Sequence, residues 1–300
     1  MRESKRRKTA AIIVNPFSGK GLALATALEA LFILKQAGVN VEIVKTLGPG
    51  HAREFAGNFA SSVDVLVSVG GDGTLNEVAN GVIEAGSVTP IAVVPTGTAN
   101  VVARELALPK DLKAQVMLAV EGRVRRLDMG CAGGHHFAMC AGAGLDAAIV
   151  EAVARRRSEQ GIGMWHYVAP AIREAWDYRY PPLRVTVDGA PVDESATFVV
   201  VGNISRYGGL FRLFEDASPE DGLLHVCCFH GRRLPDLMRY AWAAFRGSLS
   251  KLGDVDYYRG KRITLASDEN VPVQIDGDPG SKLPMTLTVR PKAVSFCAPA

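Results

Sequence analysis

The order of apolar and helical segments up to Arg126 is the strongest constraint on the fold. Short, continuously apolar runs alternate with longer segments of helical character, and the connections between them are short. The fourth run is followed by two predicted helices, "TANVVARELAL" and "LKAQVMLAVEG". The apolar runs are "TAAIIVNP", "VNVEIVKT", "DVLVSVG" and "PIAVVP". Since strands without a polar face must be covered on both sides, we predict a doubly wound α/β domain with a mainly parallel sheet. Ligands of such sheets bind beyond the carboxyl ends of the strands.

The pattern changes after "RVRRLDMG", where short strands separated by Gly, Asn and Asp dominate. Segments such as "LRVTVDGAPVDESATFVVVGN" and "VPVQIDGDPG" favour a β-rich antiparallel domain, built as a sandwich or barrel-like sheet. Two helical insertions, "DAAIVEAVARRR" and "LPDLMRYAWAAFRGSL", interrupt it. We predict a first domain over residues 1–128 and a second over 129–300, and the last strand is allowed to return to the first domain.

Composition narrows the class of protein. The chain has 300 residues, a formal net charge of +3 and five cysteines without a C-x-x-C pair, which argues against disulfides and zinc and for a cytoplasmic protein. Its apolar runs are shorter than the ~18 residues of a membrane-spanning helix, and the basic "MRESKRRKTA" lacks the apolar core of a signal peptide. The nearly balanced charge and the absence of a recognition motif predict no nucleic-acid partner.

The loop "SVGGDGTLNEVANGV" predicts a phosphate site. It follows an apolar strand and opens a helix, so its amide groups and the helix dipole favour an anion. It is not a P-loop, because the nearest string, "PFSGKG", has Gly21 at the Ser/Thr position, and Asn76 breaks the dinucleotide pattern. Asp72 would repel a phosphate unless a cation lay between them, which indicates Mg²⁺ with a nucleotide. The alternative is a tight turn in which Asp72 caps the helix.

Several motifs carry a family resemblance: "NPFSG", "GGDGTLNEVANG", "PTGTAN", "SPEDGLL" and "IDGD", in this order over nearly the whole chain. They resemble the catalytic domain of the diacylglycerol kinase and sphingosine kinase superfamily, in particular its soluble bacterial lipid kinases. GGDGT alone is shared with NAD kinases and, loosely, with phosphofructokinases, so the first domain is expected to share their fold. The resemblance implies transfer of the ATP γ-phosphate to a lipid hydroxyl, with Mg²⁺ bound both with ATP and at a separate structural site.

The resemblance also implies site residues. ATP would meet Asn15, Pro16, Phe17, Ser18, Gly19, Thr46, Gly70, Gly71, Asp72, Gly73, Thr74, Leu75, Asn76 and Thr98. The structural metal would take the Asp221 carboxylate and the backbone carbonyls of Ser218 and Leu223. An oxygen-only ligand set suits a hard cation.

The implied catalytic residues are Asp72, which would organise magnesium at the phosphates, and Asp278, the position of the family's catalytic base. Asp276 is the competing carboxylate in the same "IDGD" motif. The sequence departs from the family at two positions: the base is usually Glu, and bacterial relatives often have Asp where this chain has Val101.

The expected partners are ATP and a lipid substrate at a membrane surface. The basic clusters "RESKRRK" and "ARRR" and the aromatic segment "GMWHYVAPAIREAWDYRY" are compatible with peripheral membrane association, and equally with solvated surface and core packing. The lipid and the oligomeric state, a homodimer included, stay open. Two alternatives remain: an NAD kinase-like kinase of a soluble metabolite, and a non-catalytic nucleotide- or lipid-binding regulator.

Overall fold

The computed structural model describes residues 8–157, 173, 176–209 and 211–300. The chain forms two compact units: one runs up to Leu127 and includes Lys292–Ala300, and the other comprises Asp128–Pro291. The last strand, β18 (Met285–Ala298), therefore contributes its first residues to the second unit and its last residues to the first.

The first unit alternates strands and helices. Its strands are β1 (Thr9–Val14), β2 (Asn40–Lys45), β3 (Val65–Gly70) and β4 (Ile91–Pro95), and β5 (Arg123–Ala132) leads out of it. Its helices are α1 (Ala23–Gln36), α2 (His51–Phe59), α3 (Asp72–Glu84), α4 (Val101–Glu105) and α5 (Leu112–Glu121). A 3₁₀ turn at Ser18–Gly21 follows β1.

The sheet of this unit is parallel, in the order β2-β1-β3-β4 followed by the end of β18, where Phe296 pairs with Ile91. Every residue of β3 is buried, as a strand covered on both faces requires. Helices α1 and α5 bury one face, and α2 and α3 contact β1 and β3. The predicted mainly parallel α/β fold is confirmed, and the carboxyl ends of β1 to β4 lie along one edge.

The second unit is antiparallel. Its strands continue with β6 (His135–Phe137), β7 (Cys140–Gly144), β8 (Leu183–Val187), β9 (Ala190–Ala196), β10 (Phe198–Gly202), β11 (Arg206–Tyr207), β12 (Phe211–Arg212), β13 (Leu224–Phe229), β14 (Val255–Gly260), β15 (Arg262–Ala266), β16 (Pro272–Ile275) and β17 (Asp278–Lys282). Its described helices are α6 (Leu145–Arg157) and α7 (Leu234–Arg246).

Two layers of strands enclose the core of this unit. One layer has the order β14-β13-β10-β7-β16-β17, and the other contains the first part of β18 with β15, β8 and β9. The period of two along β10 divides its side chains: Val199 and Val201 enter the core between the layers, whereas Phe198 and Val200 face a second cluster that contains Tyr240 of α7. The predicted antiparallel β-rich domain is confirmed as a sandwich.

The structure shortens one predicted helix. The segment "TANVVARELAL" is helical only over Val101–Glu105, because Asn100 and Ala107 adopt positive φ values and bound the helix. In the aromatic segment, Tyr180 is buried and Trp176 is exposed, while Trp165 and Tyr167 lie outside the described residues, as does most of the N-terminal basic cluster. Across the described ranges, no helix combines the length and apolar character needed to cross a bilayer.

Candidate active site

The loops after β3 and β4 pack main chain against main chain. A Cβ placed on Gly97 would lie 2.7 Å from the Cα of Gly71, and one on Gly70 would lie 2.6 Å from the Cβ of Thr74. Gly73, at the start of α3, is different, because a Cβ there would meet nothing within 4 Å. The first turn of α3 is therefore open on the side of Gly73.

The motif after β1 joins the same two loops. Asn15 donates from Nδ2 to Thr74 Oγ1 at 3.2 Å, and Thr96 Oγ1 donates to Ser18 Oγ at 2.9 Å. Gly19 has φ +60°, and a Cβ on it would lie 2.7 Å from the Thr96 carbonyl oxygen. Three strand ends thus form one hydrogen-bonded edge, as the parallel sheet predicts.

The remaining predicted nucleotide contacts differ in exposure. Phe17 (79% exposed) and Thr98 are exposed, and Pro16 is half-buried. Thr46 is buried after β2, and its amide donates to the Val14 carbonyl. The side chain of Leu75 is buried, so any ligand contact at Leu75 would come from its backbone. Asn76 accepts a hydrogen bond from the Asn80 side chain.

Asp72 points toward the N-terminus of α4. Its Oδ1 accepts from the Val102 amide at 3.4 Å, and the amides of Val101 and Asn100 also bond to its carboxylate. Burial raises the pKa of Asp72, and these amide groups oppose the shift. The buried Oδ1 of Asn100 has no hydrogen-bond partner among the described residues. A carboxylate and a carboxamide oxygen in adjoining loops fit the ligand chemistry of a hard cation.

The loop "SPEDGLL" is organised by Asp221. The Asp221 carboxylate accepts from the Ser218 amide at 3.2 Å and the Leu223 amide at 2.9 Å, and His225 Nε2 lies 2.8 Å from its Oδ2. Asp128, which is buried, accepts from the Gly222 amide at 2.7 Å. Two amide groups and the His225 ring already contact the Asp221 carboxylate. The surroundings of this carboxylate therefore fit a bound cation only in part.

The two carboxylates of "IDGD" have different surroundings. Asp276 and Gly277 both have positive φ and form the tight turn between β16 and β17. Asp276 accepts from the amides of Ala138, Met139 and Cys140, each at 2.9 Å. Asp278 begins β17 and is exposed. Asp276 is therefore committed to holding the main chain, and Asp278 is the solvent-accessible carboxylate of the motif.

Comparison with known proteins agrees with these motifs. A model of the diacylglycerol kinase catalytic domain matches residues 9–132, and a model of the YegS C-terminal NAD kinase beta sandwich-like domain matches residues 140–298. A "Diacylglycerol kinase" of Staphylococcus aureus is 30% identical over 98% of this chain and 93% of its own. The chain belongs to the diacylglycerol kinase family. A second relative of that name, from Staphylococcus saprophyticus, is 30% identical over 93% of this chain and 91% of its own.

Solved structures share the fold of this chain over nearly its full length. A crystal structure from Bacillus anthracis str. Sterne has a TM-score of 0.81 at 24% identity and covers 98% of each chain. Another from that organism, of a diacylglycerol kinase, has a TM-score of 0.76 at 22% identity and covers 98% of this chain and 97% of its own. Membership of the diacylglycerol kinase family confirms the predicted class of enzyme, a lipid kinase.

Sequence reasoning missed a partly buried hydrogen-bond network beside the "IDGD" turn. Gln274 donates from Nε2 to Asp146 Oδ2 at 2.8 Å and accepts from the Gly277 amide at 2.8 Å. The Tyr207 hydroxyl donates to the other oxygen of Asp146. Burial raises the pKa of Asp146, and both hydrogen bonds oppose the shift. The one signal that the sequence offers is Asp146 itself, the acidic residue of "CAGAGLDA".

A mixed cluster also lies outside the predicted metal set. His230 Nε2 is 3.2 Å from Asp193 Oδ2 and 3.0 Å from Asp256 Oδ2, and the three ligand atoms lie within 4.8 Å of one another. Asp193 is buried, and its Oδ1 accepts from the amides of Ser195 and Ala196. The cluster links β9 to β14 through the contacts of His230 with the two carboxylates.

Proposed function

We propose that the chain transfers the γ-phosphate of ATP, in a Mg²⁺-dependent reaction, to the hydroxyl of diacylglycerol or a related lipid. The observation that carries the proposal is the glycine loop, whose neighbouring loops are joined by hydrogen bonds while the first turn of α3 stays open at Gly73. Exposed amide groups at a helix N-terminus favour phosphate. The names of the staphylococcal relatives support the lipid acceptor.

In this proposal the nucleotide meets the loops of β1, β3 and β4. The residues assigned to ATP are Asn15, Pro16, Phe17, Ser18, Gly19, Thr46, Gly70 to Asn76 and Thr98. Asp72 and the Asn100 side-chain oxygen would hold Mg²⁺, directly or through water, and the ion would neutralise charge on the phosphates. The chain's own contribution is rigid positioning, because phosphoryl transfer depends mainly on alignment and electrostatics.

Asp278 is the proposed general base. Its carboxylate would accept the proton of the lipid hydroxyl while the phosphoryl group is transferred. General base catalysis of this kind typically raises the rate by ~10²- to 10⁴-fold. Two features support Asp278 over Asp276: its exposure, and the three amides that already use the Asp276 carboxylate.

We further propose that a structural Mg²⁺ binds at Asp221 with the carbonyls of Ser218 and Leu223. This assignment follows the family motif, and the hydrogen bonds around Asp221 show that the loop is held in part without an ion. The proposed location of the enzyme is cytoplasmic, with peripheral association to the membrane that carries its substrate.

The deciding experiment is phosphoryl transfer from radiolabelled ATP to diacylglycerol in mixed micelles. We expect Mg²⁺-dependent label in the chloroform-soluble product, which Asp72→Ala abolishes while the variant still folds. Parallel reactions contain NAD⁺ or no acceptor. Label in NAD⁺ instead of lipid would identify a metabolite kinase, and nucleotide binding without label in any acceptor would identify a regulator.

A further inference from the structure

Helix α7 has one buried face and one apolar exposed face. Tyr240, Ala243 and Ala244 are buried against the β-sandwich. On the other side, Met238, Trp242 and Phe245 are 66%, 63% and 64% exposed. Their spacing of four and three residues places them on one side of the helix.

The exposed side chains form an ordered surface. The rings of Trp242 and Phe245 are stacked with centroids 6.2 Å apart, and the Arg246 guanidinium lies 5.9 Å from the centre of the Trp242 ring. Large apolar side chains held together on a surface mark a site of association, because isolated ones occur without function but grouped ones cost solubility.

The side chains around this surface are mainly basic, which favours an anionic partner. Residues 231–251 contain one acidic residue, Asp236, and five basic ones, all exposed: Arg232, Arg233, Arg239, Arg246 and Lys251. Arg239 pairs with Asp254, which leaves an excess of positive charge along the helix. Trp and Phe beside arginines are typical of helices that lie in the headgroup layer of a bilayer, where anionic lipids attract the basic side chains.

We propose that the outer face of α7 docks the enzyme on anionic lipid bilayers. Met238, Trp242 and Phe245 enter the headgroup layer, and the neighbouring arginines contact lipid phosphates. The inference rests on the proposed lipid substrate, since an enzyme that phosphorylates a water-insoluble lipid must contact the bilayer that contains it.

Vesicle flotation tests the proposal. Vesicles of phosphatidylcholine alone are compared with vesicles in which about one third of the lipid is phosphatidylglycerol. We expect the full chain to float with the anionic vesicles and to be released by salt, and the double variant Trp242→Ala/Phe245→Ala to bind at least about 10-fold more weakly. The matched control is Leu28→Ala/Phe32→Ala, which removes two exposed apolar side chains from α1 (52% and 61% exposed), and it should bind as the wild type does.

Two results would overturn the proposal. One is equal vesicle binding by the wild type and the α7 variant. The other is a wild-type dimer that the α7 variant converts to a monomer in light scattering, which would make this face a contact between two copies of the chain.

Kinase activity separates the docking proposal from the proposed function. With a short-chain, water-dispersed diacylglycerol, the α7 variant should equal the wild type. If the wild type itself fails to phosphorylate that lipid but still floats with anionic vesicles, the docking surface stands and the kinase assignment to diacylglycerol does not.

Discussion

Gly97 lies directly against Gly71: a Cβ on Gly97 would come within 2.7 Å of the Gly71 Cα and 2.9 Å of the Asn100 side-chain oxygen. The close approach of these two loops is possible only because Gly97 has no side chain. Since main-chain atoms cannot move aside as a flexible side chain can, the loops after β3 and β4 must separate if Gly97 is replaced, whereas a Cβ on Gly71 would lie 3.3 Å from the Gly97 Cα and require a smaller shift.

Gly97→Ala is therefore expected to destabilise the first unit by about 2 kcal/mol and to reduce kcat by at least ~10-fold, because the loops that would position the phosphates shift. Chemical denaturation and steady-state kinetics measure the two effects. An unchanged free energy of unfolding would show that the two loops can accommodate a side chain at Gly97, contrary to this prediction.

Gly73→Ala is the matched substitution in the same motif. A Cβ at Gly73 meets no protein atom, and alanine favours the helix by roughly 0.5–1 kcal/mol over glycine. We expect stability to be kept or raised while the KM for ATP rises about 10-fold. The added Cβ keeps the phosphate away from the backbone amide, and a hydrogen bond to a charged group contributes about that much to affinity. A Gly73→Ala enzyme with unchanged ATP kinetics would argue against phosphate binding at this turn.

Replacing Asp72 is expected to raise the stability of the fold and to abolish kinase activity. The pKa of Asp72 in the folded chain is raised above 3.8 by burial, so the folded state holds the proton more tightly than the unfolded state does. Stability from this group therefore falls as pH rises from 3.8 through the raised pKa. In EDTA at neutral pH, Asp72→Asn should melt at a higher temperature than the wild type, and the difference should shrink as pH falls toward 3.8. In the kinase assay with Mg²⁺, the same variant should be inactive. A lower melting temperature for the variant at pH 7 would contradict this reading.

Substitutions of Asp276 and Asp278 should have different effects, on stability at the first position and on catalysis at the second. Asp276→Asn removes the charge that accepts three amides and is expected to cost about 2 kcal/mol of stability. Asp278→Asn should leave the thermal melt unchanged and lower kcat by about 10²-fold or more, with little change in ATP affinity. Asp278→Glu should keep or raise activity. If Asp278→Asn turns over normally and a folded Asp276→Asn is dead, the base is Asp276.

Asp221→Ala tests the proposed structural metal. The variant loses the contacts to Ser218, Leu223 and His225, so we expect a loss of about 1–3 kcal/mol and lower activity that added Mg²⁺ rescues poorly. In the wild type Mg²⁺ should raise the melting temperature, and in the variant this part of the shift should be absent. Full activity of the EDTA-treated variant, supplied with only enough metal for MgATP, would exclude the site.

The parts of the fold that depend on local patterns could be predicted. The buried strands β1 to β4 are continuous apolar runs, and the "DG" pair of Asp276 and Gly277 marks a hairpin turn. The role of Asp276 could not be predicted, because its amide partners are residues 138–140, far away along the chain. The predicted helix after "GTAN" was too long, because propensity does not reveal that Asn100 and Ala107 adopt left-handed conformations.

Helix α7 shows a different limit. The spacing of Met238, Trp242 and Phe245 is visible in the sequence, but Tyr240, Ala243 and Ala244 form an equally apolar stripe. Periodicity alone does not tell which stripe is buried. The contacts with Phe198 and Phe229 decide it, through the aromatic cluster around Tyr240.

The path of β18 imposes an order of events during synthesis. The strand that adjoins β4 is the last part of β18, which follows β5 to β17 in the chain, and its Phe296 pairs with Ile91. A ribosome has therefore translated the strands of the sandwich before the sheet of the first unit can receive its last strand. Until then β4 presents an unpaired strand edge, the kind of surface that molecular chaperones recognise and that pairs wrongly at high concentration.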